Sequence, residues 1–359
     1  MSLPFSQLLL AAALGAAAAA PAAAQVTRHN LGGDSVAIYN LAGTVRLDPG
    51  SGSAVVAEVT PRGDDGARLR VETGMVRGRD ALRVVYPGLD IVYPGLGRGH
   101  RTQFTIYEDG TFFGDHGRRE RGREVRVTSD GDGLEAHADL RILVPPGKSV
   151  AVFVGVGSVH ATNVNGNLLI DVAAADVTTS GTRGALYLDL GSGEVAVRDA
   201  EGEVTVDAGS GDISLTNIRG REILLDTGSG TITGSGIRAT TLRLDTGSGD
   251  VRLDGVTAPT IDLDTGSGSV TLGLDADIER LSLDSGSGDV TIHAPASLGA
   301  RIEAETASGN VGGSLISSLT RRSSDDDEDD DRHVSGVIGD GDGMITIDSG
   351  SGDVRLERR

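Results

Sequence analysis

From Val150 to Arg359 the chain alternates apolar and polar residues in short runs, and pairs of runs are joined by Gly-Ser-Gly or a close variant. A clear copy is Leu242-Arg243-Leu244-Asp245-Thr246-Gly247-Ser248-Gly249-Asp250-Val251-Arg252-Leu253. Apolar residues stand five and three places before the triplet, as in Leu186 and Leu188, Val204 and Val206, Ile223 and Leu225, Ile261 and Leu263, Leu281 and Leu283, and Ile345 and Ile347. A second pair follows it, as in Val195 and Val197, Ile213 and Leu215, Val270 and Leu272, and Val290 and Ile292. A period of two is that of a strand with one buried face, not of a helix.

The corner recurs with its first residue at Gly155, Ala173, Gly191, Gly209, Gly228, Gly247, Gly266, Gly286, Ala307 and Gly350. The spacings are 18 to 21 residues except for the last, which is 43. Two short strands and a glycine corner repeating at that period predict an all-β fold, a parallel β-helix (β-solenoid) of about ten coils. The handedness of parallel crossovers predicts a right-handed coil. One coil buries too few side chains to fold alone, so the stack must be cooperative and closed at both ends.

Outside the repeat the pattern changes. Residues 1–24 read as a signal peptide, with an apolar run from Leu8 to Ala20 and Ala22-Ala23-Ala24 ahead of Gln25 as a small-residue cleavage site. Residues 26–146 keep the strand alternation without the fixed period and predict a β-rich capping module, or else a few irregular coils, joined to the solenoid (147–359) at Pro145-Pro146-Gly147. An arginine-rich insert lies in it, with Arg98, Arg101, Arg118, Arg119, Arg121, Arg123 and Arg126. The acidic run Ser323 to Asp331, in a loop at about 317–336, reads as solvated chain, and it explains the long spacing if one coil between Asn310 and Ile345 carries it. No other stretch is apolar enough for a membrane span.

Charge narrows the partners. A net charge of -20 disfavours nucleic acid and anionic lipid. Much of it falls in one column, two places before each corner: Asp171, Asp189, Asp207, Asp226, Asp245, Asp264, Asp284, Glu305 and Asp348. Unit charges at a strand spacing of about 4.8 Å repel by roughly 0.9 kcal/mol even in water. Either the carboxylates accept N–H bonds from the glycine corner, or cations lie between them; Asp226, Asp245, Asp264 and Asp284 are the candidate calcium ladder. After the corner the residues run Asp212, Thr231, Asp250, Ser269, Asp289, Asn310 and Asp353, so that every second coil lacks the charge, as repulsion relief would require.

Other motifs carry less. Asp226-Thr227-Gly228-Ser229 and its copies at Asp245 and Asp264 spell an aspartic-protease loop, but that chemistry needs two facing carboxylates sharing a proton, not a column. Arg62-Gly63-Asp64 is a three-residue match expected by chance in a chain this rich in glycine and charge. The histidines have no zinc-ligand spacing, and there is neither cysteine nor tryptophan. A β-helix that degrades polysaccharide would need sugar-stacking aromatics, and the five Phe and five Tyr lie mostly before Val154.

The strand pair Val36-Ala37-Ile38-Tyr39-Asn40-Leu41-Ala42-Gly43-Thr44-Val45, then Val144-Pro145-Pro146-Gly147, then repeated Gly-Ser-Gly-Asp-Val, resembles the bacterial "putative-adhesin" domain family, a domain of unknown function. The resemblance covers 26–359 and is most specific over 144–359. It implies an exported or envelope-associated β-solenoid, some relatives being linked to envelope stress, and supplies no catalytic residues. The expected function is therefore a non-enzymatic scaffold, periplasmic, cell-surface or secreted, that binds an unknown protein or envelope component. The alternatives are a calcium-binding structural protein, calcium being the one cofactor in view, and a polysaccharide-active enzyme.

Overall fold

The computed structural model describes residues 25–97, 99–107, 109–113, 122–319 and 332–359. The signal peptide, Arg98, Arg118, Arg119, Arg121 and the acidic run 323–331 lie outside the described residues. The fold is all-β. Its main body is a parallel solenoid in which each coil pairs with the next in unbroken register: Leu186–Ser192 with Val204–Ser210, then Glu222–Ser229, Thr241–Ser248, Thr260–Thr265 and Arg280–Ser285. Beyond the corner, a second ladder runs from Val195–Arg198 through Ile213–Thr216, Ile232–Ser235 and Val251–Val256 to Val270–Leu274. A narrow third side is held by single parallel bridges, Asn165 to Arg183 to Glu201 to Arg219 to Arg238 to Thr257.

The apolar columns face inward as the alternation requires: Leu188, Val206, Ile223, Leu242, Ile261 and Leu281 are all buried. Two further inward columns were not apparent from the flanking pairs. One is the residue immediately before the corner, which passes from Leu190 and Ala208 to Thr227, Thr246, Thr265 and Ser285, all buried. Thr227 and Thr265 donate their hydroxyls to the carbonyls of Ser229 and Ser267, 3.2 and 3.4 Å away, which ties the turn to the strand feeding it. The other column lines the third side, with Val164, Ala200, Ile218, Ile237 and Val256. One inward position is vacant of side chain, Gly234, and a Cβ there would collide with Leu253 and Ile237, which fill its place.

The ladder extends into the segment before Pro145. Ser35–Pro49 pairs in parallel with Ser149–Thr162 over nearly its whole length, and with Arg79–Val85 and His137–Val144 on its other edge. Antiparallel strands then close that end: Val55–Arg62 on His137–Val144, Thr27–Leu31 on Val55–Arg62, and Arg70–Val76 on Arg79–Val85. Turning the chain back in this way leaves no long parallel edge open. A small sheet of Asp90–Val92, Arg101–Tyr107, Gly122–Thr128 and Leu134–Glu135 lies beside it. Lys148, the chain's one lysine, is buried at the joint and donates to Asp34 Oδ1 at 2.7 Å and to the Gly33 carbonyl at 3.1 Å.

At the far end the order of coils departs from the order of sequence. The acidic run itself lies outside the described residues, and the coils on either side of it are intercalated rather than stacked in sequence. Gly343–Ser349 pairs with Arg280–Ser285 on one edge and with Ala300–Thr306 on the other, so the coil latest in sequence lies between two earlier ones. His333–Ile338 then covers the outer edge of Ala300–Thr306 as an antiparallel strand. Both ends of the stack are thus finished by reversal of strand direction.

The corners set the register. A Cβ on the first glycine of each triplet would lie 2.5–2.7 Å from a carbonyl oxygen of the neighbouring coil. The third glycine has φ between +113° and +138° from Gly193 to Gly352 and would collide in the same way. We predict that Gly249→Ala costs on the order of 3 kcal/mol, measured by urea or thermal unfolding. Ser248→Ala, on the exposed middle residue of the same corner, stays within about 0.5 kcal/mol of wild type.

Candidate functional site

Because the strands alternate, the residues between the inward aliphatics point out, and the register lines them up. The acid before the corner forms one continuous outward row: Asp171, Asp189, Asp207, Asp226, Asp245, Asp264, Asp284, Asp348 and Glu305. The intercalated coil corrects its order, placing Asp348 between Asp284 and Glu305. The row begins where aromatic side chains end. Phe153 pairs with Asp171 and stacks on Tyr39 with ring centroids 4.5 Å apart, and Phe112 meets Tyr39 edge-on at 5.8 Å.

Burial first, and Asp189 second, push the Asp171 carboxyl up to about 7. Asp189, Asp226 and Asp264 are also raised, again by burial first and by the neighbouring carboxylates second. Hydrogen bonding from the corner has no part in these shifts, so the turn bonds expected of this row are not what holds it. Beside the acids a groove of about 630 Å³ runs along the outer face, with Tyr187 and Leu224 on its apolar side and Asp226, Asp245 and Asp264 on the other. Arg243 crosses it, its Nε 3.3 Å from Asp262 Oδ2.

The turn chemistry belongs instead to the row after the corner. There the carboxylate of one coil accepts the N–H of the next: Glu194 N–H donates to Asp176 Oδ1 at 2.9 Å, Thr231 N–H to Asp212 at 2.8 Å, and Ser269 N–H to Asp250 at 2.9 Å. That bond is the leading reason the Asp250 carboxyl sits below the usual carboxylate range. Spacing of charges to relieve repulsion is not its rule. In space Asp289 and Asp353 are adjacent; Asp353 N–H donates to Asp289 at 3.0 Å and Asn310 N–H to Asp353 at 3.1 Å. Arg355 sits with them, 2.6 Å from Asp353.

Asp226, Asp245, Asp264 and Asp284 therefore share one row, each on its own coil. Among the described residues no group of three or more His, Asp or Glu side chains gathers so as to hold a metal ion. Calcium takes six to eight oxygens, and the row presents one carboxyl per coil. The protease-like loops have their threonines, Thr227, Thr246 and Thr265, buried in the core while the aspartates face out, so no two carboxylates face each other across a cleft. In the Arg62-Gly63-Asp64 sequence, Arg62 is held by Asp139 at 3.1 Å and Gly63 lies against the Glu135 carbonyl, a structural use of the tripeptide. Of the arginine-rich insert, Arg126 pairs with Asp90 at 3.0 Å and Arg123 donates to the Tyr86 carbonyl at 2.8 Å.

Residues 176–357 match the family model described as Toastrack DUF4097. The chain belongs to this family. The match spans the regular coils from Asp176 onward and both acid rows apart from Asp171, and Toastrack is a domain of unknown function, in keeping with the adhesin-like resemblance of the sequence. A solved structure, described as a putative cell adhesion protein from Clostridium sporogenes, aligns over 94% of this chain and 100% of that one at 10% identity with a TM-score of 0.20. At that score it carries no argument about this Toastrack chain. The curated proteins contain no match.

Two outcomes follow for the row. An acid whose folded pKa is raised favours the protonated fold, so its contribution to stability is full below the unfolded value of 3.8 and is lost as pH rises to about 7. Asp171→Asn is therefore expected to flatten the fall of the melting temperature between pH 5 and pH 8 and to raise it at pH 8 by on the order of 2 °C. Melting with calcium and with chelator is expected to give one midpoint; a rise of several degrees in calcium would support the calcium ladder.

Proposed function

We propose that this Toastrack protein is an exported, non-enzymatic scaffold, adhesin-like or envelope-associated, that docks a cationic partner along its acid row. The observation that carries the reading is the groove in which carboxylates stand one per coil beside Tyr187 and Leu224. Basic groups of a bound chain would find an acid at every strand spacing, and the apolar side would take the stems of Arg or Lys side chains. After burial, the neighbouring carboxylates also push up Asp171, Asp189, Asp226 and Asp264, and a positive charge placed among them would relieve that repulsion. In this reading the solenoid is a right-handed rod of about ten coils that keeps the row straight, and residues 26–146 form the module that closes one end. The site of action is the periplasm, the cell surface or the medium.

The test is capture of a fluorescent poly-arginine peptide. Wild type is expected to bind it with an affinity that falls steeply with salt. Changing Asp207, Asp226, Asp245 and Asp264 together to Asn is expected to weaken binding at least about tenfold at low salt, the equivalent of about 1.4 kcal/mol. Equal binding by the two proteins would remove the acid row from the function.

A further inference from the structure

The intercalated coil has a second meaning beyond the order of the stack. Gly343–Ser349 and Val354–Arg358 are bonded on both edges, to Arg280–Ser285 and Val290–Ala294 on one side and to Ala300–Thr306 and Val311–Gly312 on the other. On the first side Gly288 N–H donates to the Ser351 carbonyl at 3.1 Å and Val290 N–H to the Asp353 carbonyl at 2.9 Å. On the second, Ala307 N–H donates to the Ser349 carbonyl and Val354 N–H to the Asn310 carbonyl, both at 2.9 Å. Ile345, Ile347, Val354 and Leu356 are buried in the same inward columns as their neighbours. The chain lays down Ala300–Thr306 first and leaves a place one coil wide between it and Arg280–Ser285. Each of the two edges facing that place is parallel and has its N–H and C=O groups paired by this coil.

The place is also selective. A Cβ on Gly350 would stand 2.5 Å from the Gly286 carbonyl oxygen, and Gly352, at φ +113°, lies equally close to that of Gly288. Gly309 in turn packs on the Gly352 carbonyl. At Gly350 and Gly352 of the entering coil a Cβ would collide with the carbonyls of Gly286 and Gly288, so a strand pair with glycine at its first and third corner positions is favoured there. We propose that this slot is a strand-receiving site whose ligand is a Gly-Ser-Gly coil, filled in cis by residues 343–358 and open to the same residues of a second copy of the chain. Main-chain pairing on two edges gives the affinity, and the glycine corner gives the specificity. The coil comes last in the chain, and its removal leaves the pairing of the earlier coils with one another intact while breaking its own bonds to them, Met344 N–H to the Glu279 carbonyl and Arg359 to Asp254 and Asp275.

The test uses the full chain with Gly352→Val, which keeps its own coil out of the slot, and a labelled synthetic peptide of residues 340–359 as the probe. The substituted chain is expected to bind the peptide at least about tenfold more tightly than wild type, where the tethered coil competes at an effective concentration on the order of millimolar. A peptide carrying the same Gly352→Val change is expected not to bind. A substituted chain that keeps the wild-type β-sheet circular dichroism and does not bind the wild-type peptide overturns the proposal. Should the substituted chain not fold, hydrogen exchange on wild type decides. Amides of 343–358 exchanging as one group, at least about tenfold faster than those of 204–253, support a coil that leaves as a unit; equal rates overturn it.

Discussion

Everything in this molecule depends on how closely one glycine corner can lie on the next. At the glycine corners the carbonyl oxygen of one coil occupies the volume in which the neighbouring coil would place a Cβ, at the first and again at the third residue of the triplet; Ala173, Ala175 and Ala307 are the exceptions. That contact leaves no room for a shift of register, since any slip would bring a side chain onto a carbonyl. Alternation within the strands then does the rest, sending Leu and Val to the core and the intervening residues outward. The hydrophobic columns supply the stabilisation, but the corner decides which residue stacks on which.

The two acid rows are consequences of that register with opposite physical roles. The row after the corner is spent on the fold: Asp176, Asp212, Asp250, Asp289 and Asp353 each accept a backbone N–H from the adjacent coil. The row before the corner does no such work, and its members raise one another's pKa where burial adds to their repulsion, most of all at Asp171 beside the Phe153 and Tyr39 stack. A row that costs stability and, apart from Glu305 beside His333 at 3.7 Å, is not used to bond one coil to the next is the natural place to look for a partner. Membership in a family of unknown function gives the architecture and leaves that surface to be read on its chemistry.

Much of this was legible in the letters. The pairs Leu242 and Leu244 or Val251 and Leu253 announce two strands per coil, and the identity of the outward acid column follows from counting back from each triplet. Three things were not legible. Thr227 or Thr265 looks like surface polarity until its hydroxyl is found bonded to the turn carbonyl inside the core. Acids after the corner look like charge spacing until their N–H donors on the next coil are located, because periodicity shows where a residue recurs and not what it touches. The position of 343–358 between two earlier coils was hidden because a repeat is naturally read as stacking in the order of synthesis. Only the 43-residue spacing marked the place, and it is equally compatible with a simple loop.

The register, with its out-of-order last coil, is open to one direct measurement. The chain has no cysteine, so spin labels can be placed by single substitutions at 284, 305 and 348 and compared in pairs through their dipolar coupling. The account predicts that 284 and 348, although far apart in sequence, are one strand spacing of about 4.8 Å apart at the backbone, and that 284 and 305 are about twice as far. Stronger coupling between 284 and 305 than between 284 and 348 would mean that the coils stack in order of sequence, and would contradict it.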